Sequence, residues 1–323
     1  MRKFLYVLCF GLLFTTCDDG DVFEITLDFD DTFSQCGSLV FYKINTSTSE
    51  SLSIQFQDLT IEELLEVDEN FVYENTILLG SSNVFNYRSY ANLPANADDV
   101  LFCNDIPPSN LGIERDEVST GGEVYIRTVL AEDDNDGILS EFEDENLDGD
   151  NDPDTNPTDT DGDGIPNYLD ADDDGDNVLT IDELDTENLD GDDNPLTNPK
   201  NTDANSLINP DTIPDYLDSD DDGDGVDTID EEGVNTPDND PTNDITIDDT
   251  LNPEGIADYL NDQITTLVPA TGYRTHLIRM TYTVTVTVYN ISLPSITQQT
   301  LEFGTLDDSD TTVITREGSP VFD

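Results

Sequence analysis

Residues 132–262 carry 47 of the chain's 75 Asp and Glu residues and a single basic residue, Lys200. That density constrains the fold more than any other feature. So many carboxylates cannot collapse around an apolar core, because the chain between them is too polar and their mutual repulsion favours expansion. Either cations hold the segment together, or it is a disordered acidic spacer. The formal net charge of −65 over 323 residues also excludes nucleic acid as a direct partner, since a phosphate backbone needs clustered Lys and Arg. Anionic membrane surfaces are excluded as electrostatic partners on the same ground. With one His and no Trp, the chain shows no constellation for catalysis and reads as a non-enzyme.

The acidic segment repeats. Leu147 to Pro157 recurs as Leu189 to Pro199, and Ile165 to Asp176 recurs as Ile213 to Asp224, at offsets of 42 and 48. A shortened third copy runs from Gly255 to Leu260. Tyr168, Tyr216 and Tyr259 hold the same place in the three copies and suit packing between turns. Repetition of this kind specifies an ordered structure.

The Asp spacing gives the chemistry. A calcium loop needs oxygen ligands on alternate residues, a residue able to take φ > 0 at the sixth place and a carboxylate at the twelfth. Asp220, Asp222, Asp224, Gly225 and Glu231 meet these requirements, as do Asp159, Asp161, Asp163, Gly164 and Asp170. Asp172, Asp174, Asp176 and Glu183 fit with Asn177 at the sixth place. Glu132, Asp134, Asp136, Gly137 and Glu143 form a further match that opens on Glu. Asp148, Asp150 and Asp152 have the spacing but meet Pro153 where φ > 0 is wanted. Hard oxygen ligands without neighbouring His or Cys favour Ca²⁺ over zinc. Calcium ions are therefore the expected partners.

This string, above all Asp159 to Pro166, resembles thrombospondin type-3 repeats. The resemblance implies a segment without a conventional hydrophobic core, wrapped around many calcium ions, of a kind found in extracellular adhesion proteins and bacterial surface proteins.

The N-terminus reads as an export signal. Met1-Arg2-Lys3 precedes an apolar run from Phe4 to Phe14, too short to span a bilayer. The run ends at Cys17, followed by acidic residues, and resembles a bacterial lipoprotein signal with the surface-export signal of Bacteroidetes lipoproteins. That resemblance implies lipidation of Cys17 and a surface-exposed lipoprotein of the cell outer membrane. Ordinary signal cleavage, leaving Cys17 free, is the alternative. With Cys17 lipidated, Cys36 and Cys103 remain as a pair that an oxidising compartment permits to form a disulfide.

The flanks read as β structure. Alternation at Phe23–Phe29, Leu52–Phe56, Val124–Thr128, Ile278–Val288 and Leu301–Phe303 predicts strands, and Ile61–Glu66 predicts a short helix. About three strands after residue 271 are too few to bury a core alone. The expected fold is therefore mainly β: a discontinuous antiparallel β-sandwich with an inserted, irregular calcium-ordered acidic repeat segment. Its divisions are a signal peptide at 1–16, sandwich parts at 17–131 and 263–323, and the repeats at 132–262. Two small β-domains in series are the alternative. The expected function is a structural or adhesive cell-surface protein with a calcium-rigidified spacer, presenting a surface to an extracellular protein or polysaccharide ligand. A carbohydrate- or solute-binding component of an uptake system is the rival, which an aromatic face of Tyr73, Phe85, Tyr87 and Tyr90 would favour.

Overall fold

The computed structural model describes residues 27–37, 39–104, 106, 108–144, 153, 155–184, 196–231, 255–270, 272–318 and 320. Cys17, Phe23, Ile25, Asp148, Asp150 and Asp152 lie outside the described residues. The strands are β1 (Thr32–Cys36), β2 (Val40–Asn45), β3 (Glu50–Gln55), β4 (Val72–Leu78), β5 (Val84–Tyr90), β6 (Ile113–Val118), β7 (Glu123–Asp133), β8 (His276–Ser292), β9 (Thr297–Leu306) and β10 (Val313–Gly318). Two compact units divide the chain. One holds the described residues up to Leu64 with Glu74–Arg127 and Thr285–Asp307; the other holds Leu65–Tyr73, Thr128–Val284 and the described residues from Asp308. Strands β7 and β8 each run on from one unit into the other.

The strands pair in a curled, mixed sheet in the order β4-β7-β8-β9-β1-β2-β3-β5-β6, with β1, β2, β3, β5, β6 and β9 in the first unit. It draws on chain from before and after the acidic segment. A single mixed sheet stands where the antiparallel sandwich was expected, because β1 lies parallel to β9, with Thr32 opposite Thr305. Alternation within a strand fixes which face is buried; it does not say which remote strand will pair. Gly304 (φ +106°) makes the parallel approach possible, since a Cβ there would run into the Asp31 carbonyl. That carbonyl accepts the Thr305 amide at 2.9 Å, and the β8–β9 register shifts between Val286 and Thr287 at the same point.

Phenylalanine fills the core of this unit. Phe33 meets Phe41 at 4.7 Å and Phe303 at 5.3 Å between ring centroids, Phe41 meets Phe56 at 5.3 Å, and Phe85 meets Phe303 at 6.4 Å. Lys43 is buried among them and donates to the Phe303 carbonyl at 2.9 Å. Burial lowers its pKa, and the Asp31 and Asp30 charges partly offset that. Phe85, Tyr87 and Tyr90 are also buried, so these rings build core rather than an exposed aromatic face.

Cys36 and Cys103 form a disulfide with Cα atoms 5.3 Å apart, and the Tyr42 hydroxyl lies 3.3 Å from the Cys103 sulfur. A crosslink spanning 67 residues removes enough unfolded-state entropy to contribute about 4 kcal/mol. Cys36→Ser is expected to lower the stability of this unit by roughly 2–4 kcal/mol, read as a reduced urea midpoint of the tyrosine fluorescence.

The second unit has little regular structure. Single helical turns at Ser140–Phe142, Asn167–Leu169, Thr180–Glu183, Asp203–Asn205, Asp215–Leu217, Thr228–Asp230 and Asp258–Leu260 punctuate its loops. Pro166 and Pro214 open two equivalent turns with φ near −72° and −73°, a value the ring fixes in advance. Among the described residues, apolar groups here include Tyr168 and Leu169 against Ile278, and Tyr259 with Val178 and Ala257. Strand β10 pairs with the first half of β8, from Val313 opposite Thr281 to Gly318 opposite His276.

Candidate metal centres

One recurring device shapes the acidic loops. A carboxylate oxygen accepts the amide two residues on, as Asp134 does from Asp136 (3.0 Å), Asp136 from Ile138 (2.8 Å), Asp176 from Val178 (2.7 Å) and Asp224 from Val226 (2.8 Å). These Asx turns bend the chain so that the second oxygen faces the inside of the loop. The bend needs φ > 0 at the sixth place, and Gly137 (109°), Gly164 (97°), Asn177 (73°) and Gly225 (93°) supply it.

Two carboxylate groups result, one of four members and one of three, and the loops that carry them repeat each other. In the first, Asp134, Asp136, Glu143 and Asp173 bring one oxygen each within 4.8 Å of one another. In the second, Asp176, Glu183 and Asp221 do the same, and Asp174 stands in the field of Asp176 and Glu183. Asp134, Asp136 and Glu143 correspond to Asp174, Asp176 and Glu183 at a constant offset of 40 residues. Asp172 also closes on Asp174 and Asp176, but its own oxygens accept the amides of Asp176 (3.1 Å) and Asn177 (2.9 Å). A third loop presents Asp220, Asp222, Asp224 and Glu231, with Glu231 facing the charges of the other three.

The groups are deeply buried. Asp173, Asp176, Glu183, Asp221 and Glu231 are 2%, 0%, 3%, 1% and 2% exposed. Among the described residues, both oxygens of Glu143, Asp173, Asp174, Glu183, Asp221 and Glu231 have no hydrogen-bond partner, and Asp134, Asp136, Asp176, Asp222 and Asp224 each leave one oxygen unpartnered. Burial, reinforced by the Asp136 and Asp133 charges, pushes Glu143 up to about 8. Burial with Asp222, Asp224 and Asp220 pushes Glu231 up to about 9. Asp173, Asp174, Asp176, Glu183 and Asp221 are raised well above the carboxylate range by burial first and neighbouring carboxylates second.

Other residues take different places. Asp159, Asp161 and Asp163 gather at a partly exposed site, with Asp161 against Gly175 so closely that a side chain at 175 would strike it. Asp170 is drawn off to His276, whose Nδ1 lies 2.8 Å from its carboxylate with both side chains buried. Burial disfavours the His276 charge, but its hydrogen bond to Asp170 and the Asp170, Asp172 and Asp163 charges raise its pKa overall. Glu132 is held by Arg316 at 2.9 Å and is not part of the group that its loop forms.

Sequence spacing did not select Asp173 or Asp221, which fall between the alternating ligands. Their signal was the unbroken Asp triplet at 172–174 and again at 220–222. It also passed over Asp203, Asp211 and Asp218, which converge in the second copy, where six extra residues between Thr202 and Pro214 disguise the spacing. Asn167 and Asp215 brace equivalent loops there, accepting the amides of Thr160 (3.0 Å) and Thr202 (2.7 Å).

Residues 133–206, under a quarter of the chain, match the BamM C-terminal family. No curated protein and no solved structure matches the chain. The match corrects the thrombospondin type-3 reading, since the family that fits the acidic repeats is a different one. Alternating Asp with Gly at positive φ is what an Asx-turn loop requires, so the motif identifies the loop conformation and not the family.

Proposed function

We propose that this chain is an outer-membrane-associated protein that binds several calcium ions, and that the ions hold its acidic segment in a fixed shape. The observation that carries the reading is the set of buried carboxylate oxygens that converge without hydrogen-bond partners. Ionised and metal-free, carboxylates within 4.8 Å would repel by about 3 kcal/mol per pair at an effective dielectric of ~20. Summed over a four-membered group, that exceeds the ~5–15 kcal/mol that stabilises a typical domain. A divalent cation at the centre reverses the sign of the interaction. Oxygens sharing one calcium at about 2.4 Å lie no more than ~4.8 Å apart, and the oxygens of these groups fall inside that limit. The all-oxygen ligand set and irregular loops suit Ca²⁺ better than Mg²⁺, which demands a strict octahedron and retains its waters.

A structural or adhesive role follows from this reading. Calcium sets the acidic segment rigid, a lipid on Cys17 anchors the chain, and the sheet unit offers a surface to an extracellular protein or polysaccharide. The match to a family of the outer-membrane BAM complex supports that location. The burial of Phe85, Tyr87 and Tyr90 weighs against the solute-binding rival.

Calorimetric titration of the full chain with Ca²⁺ tests the binding. Saturable binding that survives 0.5 M NaCl, where the Debye length is only about 4 Å, and that Asp176→Ala with Glu183→Ala reduces is expected. Binding that salt abolishes, and that these substitutions leave unchanged, would mean a diffuse counter-ion atmosphere and no sites.

A further inference from the structure

Asp173 and Asp221 sit on one loop and serve another. Each is the middle residue of an Asp triplet, and each turns away from the alternating ligands on either side of it. The backbone arranges this identically in the two copies. The Asp173 amide donates to Thr180 Oγ1 at 3.1 Å, and the Asp221 amide donates to Thr228 Oγ1 at 3.1 Å. Both threonines are fully buried and are themselves pinned, Thr180 to the Ala171 carbonyl (3.0 Å) and Thr228 to the Ser219 carbonyl (2.8 Å). With its peptide fixed in this way, Asp173 projects into the group formed by Asp134, Asp136 and Glu143, and Asp221 projects into the group containing Asp176 and Glu183. Neither carboxylate has a hydrogen-bond partner among the described residues, and both are at least nine-tenths buried.

We infer that Asp173 and Asp221 are cross-loop calcium ligands that couple neighbouring sites into a row which loads cooperatively. The inference rests on the calcium reading above. The loop 220–231, once it holds its ion, fixes Asp221 in place for the site of Asp174, Asp176 and Glu183. That loop in turn fixes Asp173 for the site of Asp134, Asp136 and Glu143. Each site therefore binds more tightly when the next one along is filled, and by linkage the effect is reciprocal. In the third copy Ile264 occupies the position equivalent to Asp173 and Asp221, five residues after the repeated tyrosine, so that position offers no ligand there.

Two tyrosines make the sites separately visible. Tyr216 lines the same cleft as Glu143 and Asp173, and Tyr259 lies in the field of Asp221, Glu183 and Asp176. Either ring can sensitise the luminescence of a bound Tb³⁺, and the chain has no Trp to compete. The experiment uses the full chain with Tyr259→Phe, so that Tyr216 reports the first site, and titrates Tb³⁺ with and without Asp221→Ala. Asp221 is not a ligand of that first site, yet its loss is expected to weaken Tb³⁺ binding there on the order of tenfold. Asp221→Asn, which keeps the side-chain shape and one carbonyl oxygen, is expected to give a smaller shift in the same direction and guards against simple misfolding of the alanine variant. An unchanged Tyr216-sensitised curve in both variants, with one ion lost from the calorimetric total, would overturn the coupling and leave calcium binding intact. Failure of the parent chain to bind discrete ions would instead remove the calcium reading itself.

Discussion

Chelation of divalent cations at neutral pH is expected to unfold the acidic loops of the second unit while the phenylalanine core of the first unit stays folded. The asymmetry follows from what holds each together. The first unit buries Phe33, Phe41, Phe56, Phe85 and Phe303 and is tied by the Cys36–Cys103 disulfide. Among the described residues, the loops at 133–143, 172–183 and 220–231 set small apolar groups, such as Val178 with Ala257 and Tyr259, against the repulsion of buried carboxylates. Ion binding supplies the difference: one site filled at about 100 times its Kd contributes roughly 2.7 kcal/mol, so three sites contribute about as much as a domain's whole stability. Hydrogen exchange resolves the two units. In chelator, the amides of Asp136, Ile138, Asp176, Val178 and Val226, which rest on loop carboxylates, should exchange at unfolded-chain rates, and those of β2, β3 and β5 should not. Equal protection of both sets with and without calcium would contradict the account.

Acid is expected to restore order to the chelated chain, the reverse of ordinary acid denaturation. Raised carboxylate pKa values mean that the metal-free fold binds more protons than the unfolded chain. For Glu231, moved from 4.5 to about 9, the stabilisation is fully present below pH 4.5 and is lost as the pH rises through about 9. Glu143, moved to about 8, and Asp161 and Asp222, each moved to about 7, act in the same direction over narrower windows. So does His276, whose raised pKa favours the fold at low pH and is lost on alkalinisation. Asp116 in the first unit has the opposite sign: its lowered pKa, held down by Asn86 and Arg88 against burial, withdraws stability only below its reference value of 3.8. In chelator, the hydrodynamic radius should therefore shrink as the pH falls from 9 to about 5. With saturating calcium it should stay constant over most of that range, because cations replace protons between the carboxylates. A chelated chain that expands on acidification in this window would be evidence against buried, cation-requiring groups.

Much of this was legible in the sequence, and the limits are physical. Strand β7 alternates cleanly because one face of it is buried; Val124, Ile126 and Thr128 are buried as the pattern requires. Strand β6 (Ile-Glu-Arg-Asp-Glu-Val) and β10 lie mostly exposed, so no apolar period marks them. In β5 the sequence Val-Phe-Asn-Tyr-Arg-Ser-Tyr breaks the period because Asn86 is buried, donating to Asp116 at 2.8 Å. Leu27–Phe29, read as part of a strand, is irregular. The alternating spacing picked out Asp134, Asp136, Glu143, Asp176 and Glu183, whose oxygens fall into converging groups, because Asx turns act over two residues. It included Glu132, which pairs with Arg316, and passed over Asp173 and Asp221, because Arg316 and the preceding loops are remote in sequence.

Anomalous diffraction from crystals of the full chain grown with calcium and soaked in Tb³⁺ tests the central claim most directly. Strong peaks are expected at the centre of Asp134, Asp136, Glu143 and Asp173, and at the centre of Asp174, Asp176, Glu183 and Asp221, each with oxygen ligands at about 2.3–2.6 Å. Ordered loops with no anomalous density at either centre, and their carboxyl groups hydrogen-bonded to one another as neutral acids, would contradict it.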